Sequence, residues 1–364
     1  MKKILLIGIV IMYLTSFGQD SLTIEQPIPQ PLTISGYVEG YYSYDFNRPE
    51  SNTRPGFLYS HNRHNEFSVN LAFVKGSYSA ERVRANLAIG VGTYMNANYS
   101  AEPGVLKNIY EGNVGYKLSA KHNLWLDIGV LPSHIGFESA VSKDCWALTR
   151  SLSAENSPYF ESGAKLSYGT NNGIATFSIL ALNGWQRITR VEGNSLMSWG
   201  TQAFIKPNDK ITLNYSTFLG TDKPDSARLV RFFNNFYGIF QFSEKIGFTA
   251  GLDFVTEEKT PTGDGRNNLF NTVGILRYTP VDRWAFAFRA EHYEDENGII
   301  IATGTPDGFK TTGLSFNIDY LPISNAALRL EVRSLNSKDR IFSDKDGGTK
   351  KSNTAITFST AISF

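Results

Sequence analysis

From Leu32 to Phe364 this chain alternates. Apolar and polar side chains exchange places residue by residue through segment after segment, and no stretch of twelve or more positions keeps a helical period. In the first segment Ile34, Val38, Tyr42, Tyr44 and Phe46 share one parity, while Thr33, Ser35, Glu39, Ser43 and Asp45 hold the other. The split recurs in Phe67, Val69, Leu71 and Phe73 against Glu66, Ser68, Asn70 and Ala72, and again in Val83, Ala85, Leu87, Ile89 and Val91 against Arg82, Arg84, Asn86 and Gly90. A period of two is that of a strand, whose successive side chains point to opposite faces. A chain built of little else must cover one face of a very large sheet and must also dispose of the sheet's edges.

About 16 such segments begin near residues 32, 64, 82, 108, 123, 159, 173, 195, 210, 229, 245, 268, 283, 309, 326 and 352. Their connections alternate between short and long, as in a chain that meanders up and down across a layer. In water the apolar face would need a second covering layer, and the sequence supplies no helices for one. In lipid the requirement reverses: the apolar face meets hydrocarbon, the mixed face lines an interior, and the sheet closes so that every backbone group is bonded. Composition agrees, with charged residues at only 19% and aromatics at 13%, against roughly 25% charged in a soluble domain. The fold expected is therefore all-β, a transmembrane antiparallel up-and-down barrel of about 16 strands spanning residues 32–364.

The ends fit that reading. Lys2 and Lys3 precede an apolar run from Ile4 to Leu14 and the small residues Ser16 and Gly18, so residues 1–18 read as a cleaved signal peptide. Residues 19–31, with Pro27, Pro29 and Pro31, read as a periplasmic linker. The terminal stretch Asn353 to Phe364 keeps the alternation to its last ring: Ile356, Phe358, Ile362 and Phe364 on the lipid side, Ala355, Thr357, Ser359, Ala361 and Ser363 inward. Ile362 and Phe364 resemble the signal that outer-membrane barrels present to their assembly machinery, with Ser359 where that signal usually carries Gly. Tyr110, Tyr116, Tyr168, Tyr215, Tyr278, Trp284 and Tyr320 are expected to form aromatic girdles at the lipid boundaries.

From the fifth segment on, the sequence resembles the OmpL-like β-barrel porins of Gram-negative outer membranes. The resemblance lies in Asp127-Ile128-Gly129, Ile135-Gly136-Phe137-Glu138, Ser157-Pro158-Tyr159 running to Gly163 and Tyr168, and Asn183-Gly184-Trp185-Gln186. After that Trp the family often carries an Asn-rich run, where this chain has Glu192-Gly193-Asn194. The resemblance covers nearly the whole mature chain and implies an outer-membrane pore for small hydrophilic solutes, with a homotrimer as its assembly.

About 16 strands is the size at which a barrel encloses a water-filled channel. On the inward parity stand the basic residues Arg84, Arg231, Arg277, Arg289, Arg329 and Arg333 and the acidic residues Glu39, Asp45, Glu111, Asp127, Glu291 and Glu331. Turned to lipid, such charges would cost about 2 to 4 kcal/mol each at mid-membrane. Arg277, Arg289, Arg329 and Arg333 lie on late segments and form either a basic wall that favours anions or, paired with Glu291 and Glu331, a neutral one. The longest loop, Pro132 to Ser157, is the candidate constriction; folded inward, its Glu138, Asp144 and Glu155 would face those arginines. The second functional class is a plugged barrel that acts as an adhesin or scaffold through its long loops.

Other chemistry is sparse. A net charge of +1 offers no basic excess for nucleic acid. His61 and His64 sit in a polar loop without further ligands and are expected to be solvated, so neither metal nor cofactor is expected. The one cysteine, Cys145, has no disulfide partner. A lipid hydrolase would need a serine beside His292 on the lipid face, and no Gly-x-Ser-x-Gly accompanies it, so no enzymatic activity is expected.

Overall fold

The computed structural model describes residues 31–364. The leader expected at residues 1–18, and all of the linker except Pro31, lie outside the described residues. Sixteen antiparallel strands close into a single barrel. They are β1 (Leu32–Asp45), β2 (Phe67–Ser79), β3 (Val83–Val91), β4 (Ile109–Lys117), β5 (Asn123–Pro132), β6 (Phe160–Gly169), β7 (Ala175–Leu182), β8 (Ser198–Asn208), β9 (Ile211–Gly220), β10 (Arg231–Gln241), β11 (Ile246–Glu258), β12 (Arg266–Val281), β13 (Trp284–Asp295), β14 (Phe309–Ile323), β15 (Ala326–Ser337) and β18 (Ser352–Ser363). The two-residue strands β16 (Phe342–Ser343) and β17 (Thr349–Lys350) form a separate ribbon in the last long loop. Two short helices, α1 (Thr93–Asn98) and α2 (Leu152–Glu155), belong to long loops as well.

Each strand pairs with its neighbours in sequence, and β18 completes the cylinder by pairing with both β15 and β1. The last residue is part of that seam: Phe364 N–H donates to the Gly36 carbonyl at 3.0 Å and Gly36 N–H returns a bond at 2.7 Å. The Phe364 ring lies over Gly36 so closely that a Cβ there would sit 2.4 Å from the ring. Ile362 and Phe364 both present apolar surface outward.

Orientation follows the alternation through most of the wall. Val38, Leu87, Ile89, Ile128, Phe236, Phe254, Phe288, Phe316, Leu330 and Phe358 are exposed on the outer surface. Glu39, Asp127, Asp253, Arg289, Asn317 and Glu331 are buried on the inner one.

In two places the expected parity reverses. In β2, Phe67 and Val69 face outward, but the pairing with β1 skips Asn70, and beyond that bulge Leu71 is buried and Phe73 packs on Tyr37 at 5.9 Å inside the barrel. The pairing of β3 with β4 skips Tyr110 in the same way, so Tyr110 stacks on Phe73 at 4.8 Å instead of joining a girdle. One extra residue on one strand flips the faces that follow it. Of the other expected girdle residues, Tyr116, Tyr168, Tyr278 and Trp284 are exposed outward. Tyr215 stacks on the outward Phe236 at 4.3 Å and Tyr320 packs against Trp284 at 5.0 Å.

Candidate functional site in the barrel lumen

The wall strands supply inward polar side chains, and the segment between β5 and β6 decides what those side chains touch. From Pro132 to Ser157 the chain turns into the barrel and is held around most of its circumference. His134 Nδ1 lies 2.7 Å from Glu161, its Nε2 lies 2.8 Å from the Thr217 carbonyl, and its own carbonyl accepts from Ser216 and Gln202. Gly136 N–H donates to Asn235 on β10, and Ser153 bonds to Asn271 on β12. Leu152 N–H donates to Glu291 on β13, Leu148 N–H to Asn317 on β14, and Thr149 N–H to Glu331 on β15. Ser142 meets both Tyr37 and Glu39 on β1.

This insertion bears on the two readings of those arginines. Arg289 donates to Glu331 at 2.7 Å and to the Thr149 carbonyl; Arg333 donates to Glu291 at 2.6 Å and to the Arg150 carbonyl at 2.9 Å. Arg329 donates to Asp319 at 2.7 Å and to the carbonyls of Ser142 and Cys145. All three arginines, with Glu291 and Glu331, are buried. Their guanidinium groups are spent on carboxylates and on the loop backbone, so they seat the inserted segment and present no basic wall to water. Arg277 alone of the four is only half-buried, its guanidinium 5.9 Å from the Trp146 ring.

The other charged residues expected at the pore divide by height. Toward the short-turn end, Arg84 pairs bidentately with Asp127 and lies 4.3 Å over Trp125, and Lys75 pairs with Glu111 at 2.5 Å. At the long-loop end Arg231 joins Glu257 at 2.9 Å and the Ile299 carbonyl at 2.8 Å, with Trp185 stacked 5.3 Å away. Asp45 accepts both bonds from the Asn353 amide. Glu39 is buried among Ser142, Asn70 and His61.

Of the three loop acids, Asp144 alone is exposed, near Lys143, and it touches none of the arginines. Glu138 accepts from Ser151 N–H at 3.0 Å and stands 3.9 Å from Arg289. Glu155 accepts from the backbone N–H of Tyr59 at 2.8 Å and of Ser60 at 3.1 Å, clasping the first long loop to the inserted one. No open transverse field spans the lumen here, because each carboxylate but Asp144 is internally bonded.

Burial pushes the Glu155 carboxyl up to about 7, against the pull of the Tyr59 N–H and of Arg150 and Arg333. Its proton is thus held in the clasped state at pH values where a free carboxyl has lost it. The clasp is at full strength below pH 4.5 and weakens as pH rises through about 7, by up to about 3 kcal/mol. Protease sensitivity of the loops should therefore rise from pH 5 to pH 8 in the native protein, and Glu155→Gln should abolish that rise.

One further expectation is corrected. His61 and His64 are buried, not solvated: His61 Nε2 lies 3.2 Å from Glu39, and His64 Nδ1 accepts from Asp45 N–H at 2.9 Å. Cys145 is buried and donates to the Ser139 carbonyl. His292, on the outer face, pairs with Glu294 at 3.3 Å.

Sequence reasoning missed the apolar filling of the long-loop half. Leu58, Leu152, Leu180, Leu182, Phe218, Phe233, Val255, Leu269, Ile299, Ile301, Phe309, Leu335 and Phe342 form one buried cluster that joins several long loops to the inner wall. A second cluster brings Tyr94, Met95 and Tyr99, from α1 and the residue after it, against Tyr37, Leu71 and Phe160. The signal was present as apolar residues on both parities next to the long loops, in Ile179-Leu180-Ala181-Leu182, Phe232-Phe233, Phe254-Val255 and Leu269-Phe270. A lipid-facing strand needs such residues on one face only.

Comparison with known proteins places this geometry. A family model described as "Putative beta-barrel porin-2, OmpL-like" matches residues 31–364. No curated protein sequence matches. Among solved structures, the anion-selective porin from Comamonas acidovorans is similar with a TM-score of 0.59 at 11% identity, over 92% of this chain and 99% of that one. The outer membrane channel DcaP of Acinetobacter baumannii gives 0.55 at 12% identity, over 92% and 97%. OmpT of Vibrio cholerae, in its trimer form, gives 0.56 at 9% identity, over 92% and 99%. At such identities these likenesses carry the fold alone.

Proposed function

Because the chain belongs to the OmpL-like family of beta-barrel porins, we propose that this outer-membrane porin is a narrow, weakly selective diffusion channel for small hydrophilic solutes, with residues 132–157 as its constriction. The observation that carries this reading is the attachment of that segment to inward residues of β1, β10 and β12–β15, which leaves polar wall below it and loops above it. No strong anion preference follows, since Arg289, Arg329 and Arg333 are matched by Glu331, Asp319 and Glu291.

The family supports a channel rather than an enzyme. Export through a leader cleaved after Gly18, insertion by the barrel-assembly machinery through Ile362 and Phe364, contact of the outer face with outer-membrane lipids and assembly as a homotrimer complete the reading. The trimer form of OmpT supports the last of these.

A second reading, a plugged barrel that serves as a surface adhesin or scaffold, draws on one observation: the apolar cluster that ties the long loops together. Planar-bilayer recording separates the two. A channel gives discrete unit steps that grow with salt concentration and a reversal potential near zero in a KCl gradient. A plug gives no steps at any voltage the bilayer tolerates.

A further inference from the structure

We infer that solutes cross this lumen along one side only, between the inserted segment and strands β10–β12, and that the Phe137 ring is the gate on that route; the inference rests on the channel reading above. The other sides are closed by packing. Toward β13–β15 the segment is bonded to Arg289, Arg329 and Arg333 beneath it. Toward β1–β6 the cluster of Tyr37, Phe73, Met95, Tyr110, Val130 and Phe160 fills the space, with Met95 against Gly90 of β3, and toward β7 Leu180 and Leu182 belong to the apolar filling. Toward β8 and β9 the segment is pinned through His134.

Along β10–β12 three voids lie in series. The first, about 250 Å³ at the long-loop end, is lined by Asn98, Trp185, Arg187 and Arg231 among others. Ser157 borders both it and a second void of about 10 Å³ against Asn235 and Asp253. Phe137 borders that one and a third, about 50 Å³, against Trp146, Ile239 and Thr249.

The wall residues follow the same order. On β10 they are Arg231, Asn235 and Ile239, four residues apart and so about 13 Å of strand per step. On β11 the line runs from Asp253 to Thr249, and on β12 from Val273 to Ile275, again toward the short-turn end. A void of about 10 Å³ has room for a single water. The route is shut at that point in this structure.

Phe137 is what shuts it. Its ring packs 5.7 Å from Tyr237 and occupies the space that a side chain at residue 251 would need; a Cβ on Gly251 would lie 2.8 Å from the Phe137 ring. An apolar ring at a constriction opposes hydration of the passage and hence ion flow, so moving or shrinking it opens the path. Asp253, the one charged side chain on the narrowest void, favours cations and neutral solutes over anions there.

Single-channel recording of Phe137→Ala in planar bilayers, beside native protein and a variant lacking Ser139 to Ala154, tests this. The expected result is a unit conductance raised at least about twofold in Phe137→Ala, with Asp253→Asn shifting the reversal potential in a KCl gradient toward anions. If Phe137→Ala does not form a barrel, Phe137→Leu and Phe137→Trp give the same answer as a graded rise and fall. Unchanged conductance across the Phe137 series, in a protein whose loop-deleted form conducts more, would overturn the route and leave the channel reading standing. Absence of steps from both native and loop-deleted protein would overturn the channel reading and the route with it.

Discussion

Removal of Ser139 to Ala154 is expected to raise the unit conductance severalfold, the largest functional change that any single alteration of this chain should produce. A barrel of 16 strands encloses a lumen wide enough for a water-filled channel, yet the voids along β10–β12 narrow to about 10 Å³. The deleted residues include most of what crosses the lumen, among them Ser142, Trp146, Thr149 and Leu152. The ladder that closes the cylinder does not involve them, so the barrel should still assemble and run as a heat-modifiable band in detergent. Unchanged conductance in the deletion would mean that the segment does not limit flow.

The second large effect is on the anchorage of that segment. Glu331 accepts from Thr149 N–H and Oγ1 and from Arg289, all buried. Its replacement by Ala takes away the one carboxylate that Arg289 hydrogen-bonds, leaving Glu291 at 3.6 Å and Glu138 at 3.9 Å as weaker partners, at a cost of up to about 3 to 5 kcal/mol for a broken buried pair. The cost falls on the loop and not on the wall, because the loop is the part that can leave. Glu331→Ala should therefore admit protease cleavage between residues 139 and 154 while the strands stay protected, and should replace steady conductance by flickering. An uncut loop and a quiet trace would show that the seat holds without this carboxylate.

Much of this architecture is legible in the sequence alone, and the reason is specific. A strand between lipid and lumen must alternate, so Ile356, Phe358 and Ile362 declare their face without reference to distant residues, and the short connections Pro280 to Asp282 and Pro322 to Asn325 mark where the chain reverses. What escaped was decided by contacts far apart in sequence. The bulges at Asn70 and Tyr110 each consume one residue, and local alternation cannot show whether Leu71 or Ala72 ends up inside.

The alternation turns the arginines inward, and their pairing with Glu291 and Glu331 is one of two readings; what the alternation cannot show is that loop carbonyls at Thr149, Arg150 and Cys145 take up their remaining donors. Arg150 itself drew no notice in the sequence. It is buried and donates to the carbonyls of Ser139, Ala140 and Leu148, which folds the inserted segment back on itself. The apolar filling at the long-loop end was legible in principle, as in Leu180 and Leu182 beside Ile179. Apolar residues on both faces of a strand end mark a second core, here one inside the barrel.

The account depends on which way the wall faces, and the five tryptophans of the chain report on that. Trp199 and Trp284 are exposed on the outer surface. Trp125, Trp146 and Trp185 are inside, against Arg84, Arg277 and Arg231. The most direct measurement is fluorescence of single-tryptophan variants in vesicles of brominated lipid. Strong quenching of Trp199 and Trp284, with Trp125, Trp146 and Trp185 left bright, is the predicted result; quenching of the inner three, with the outer two unaffected, would contradict the account.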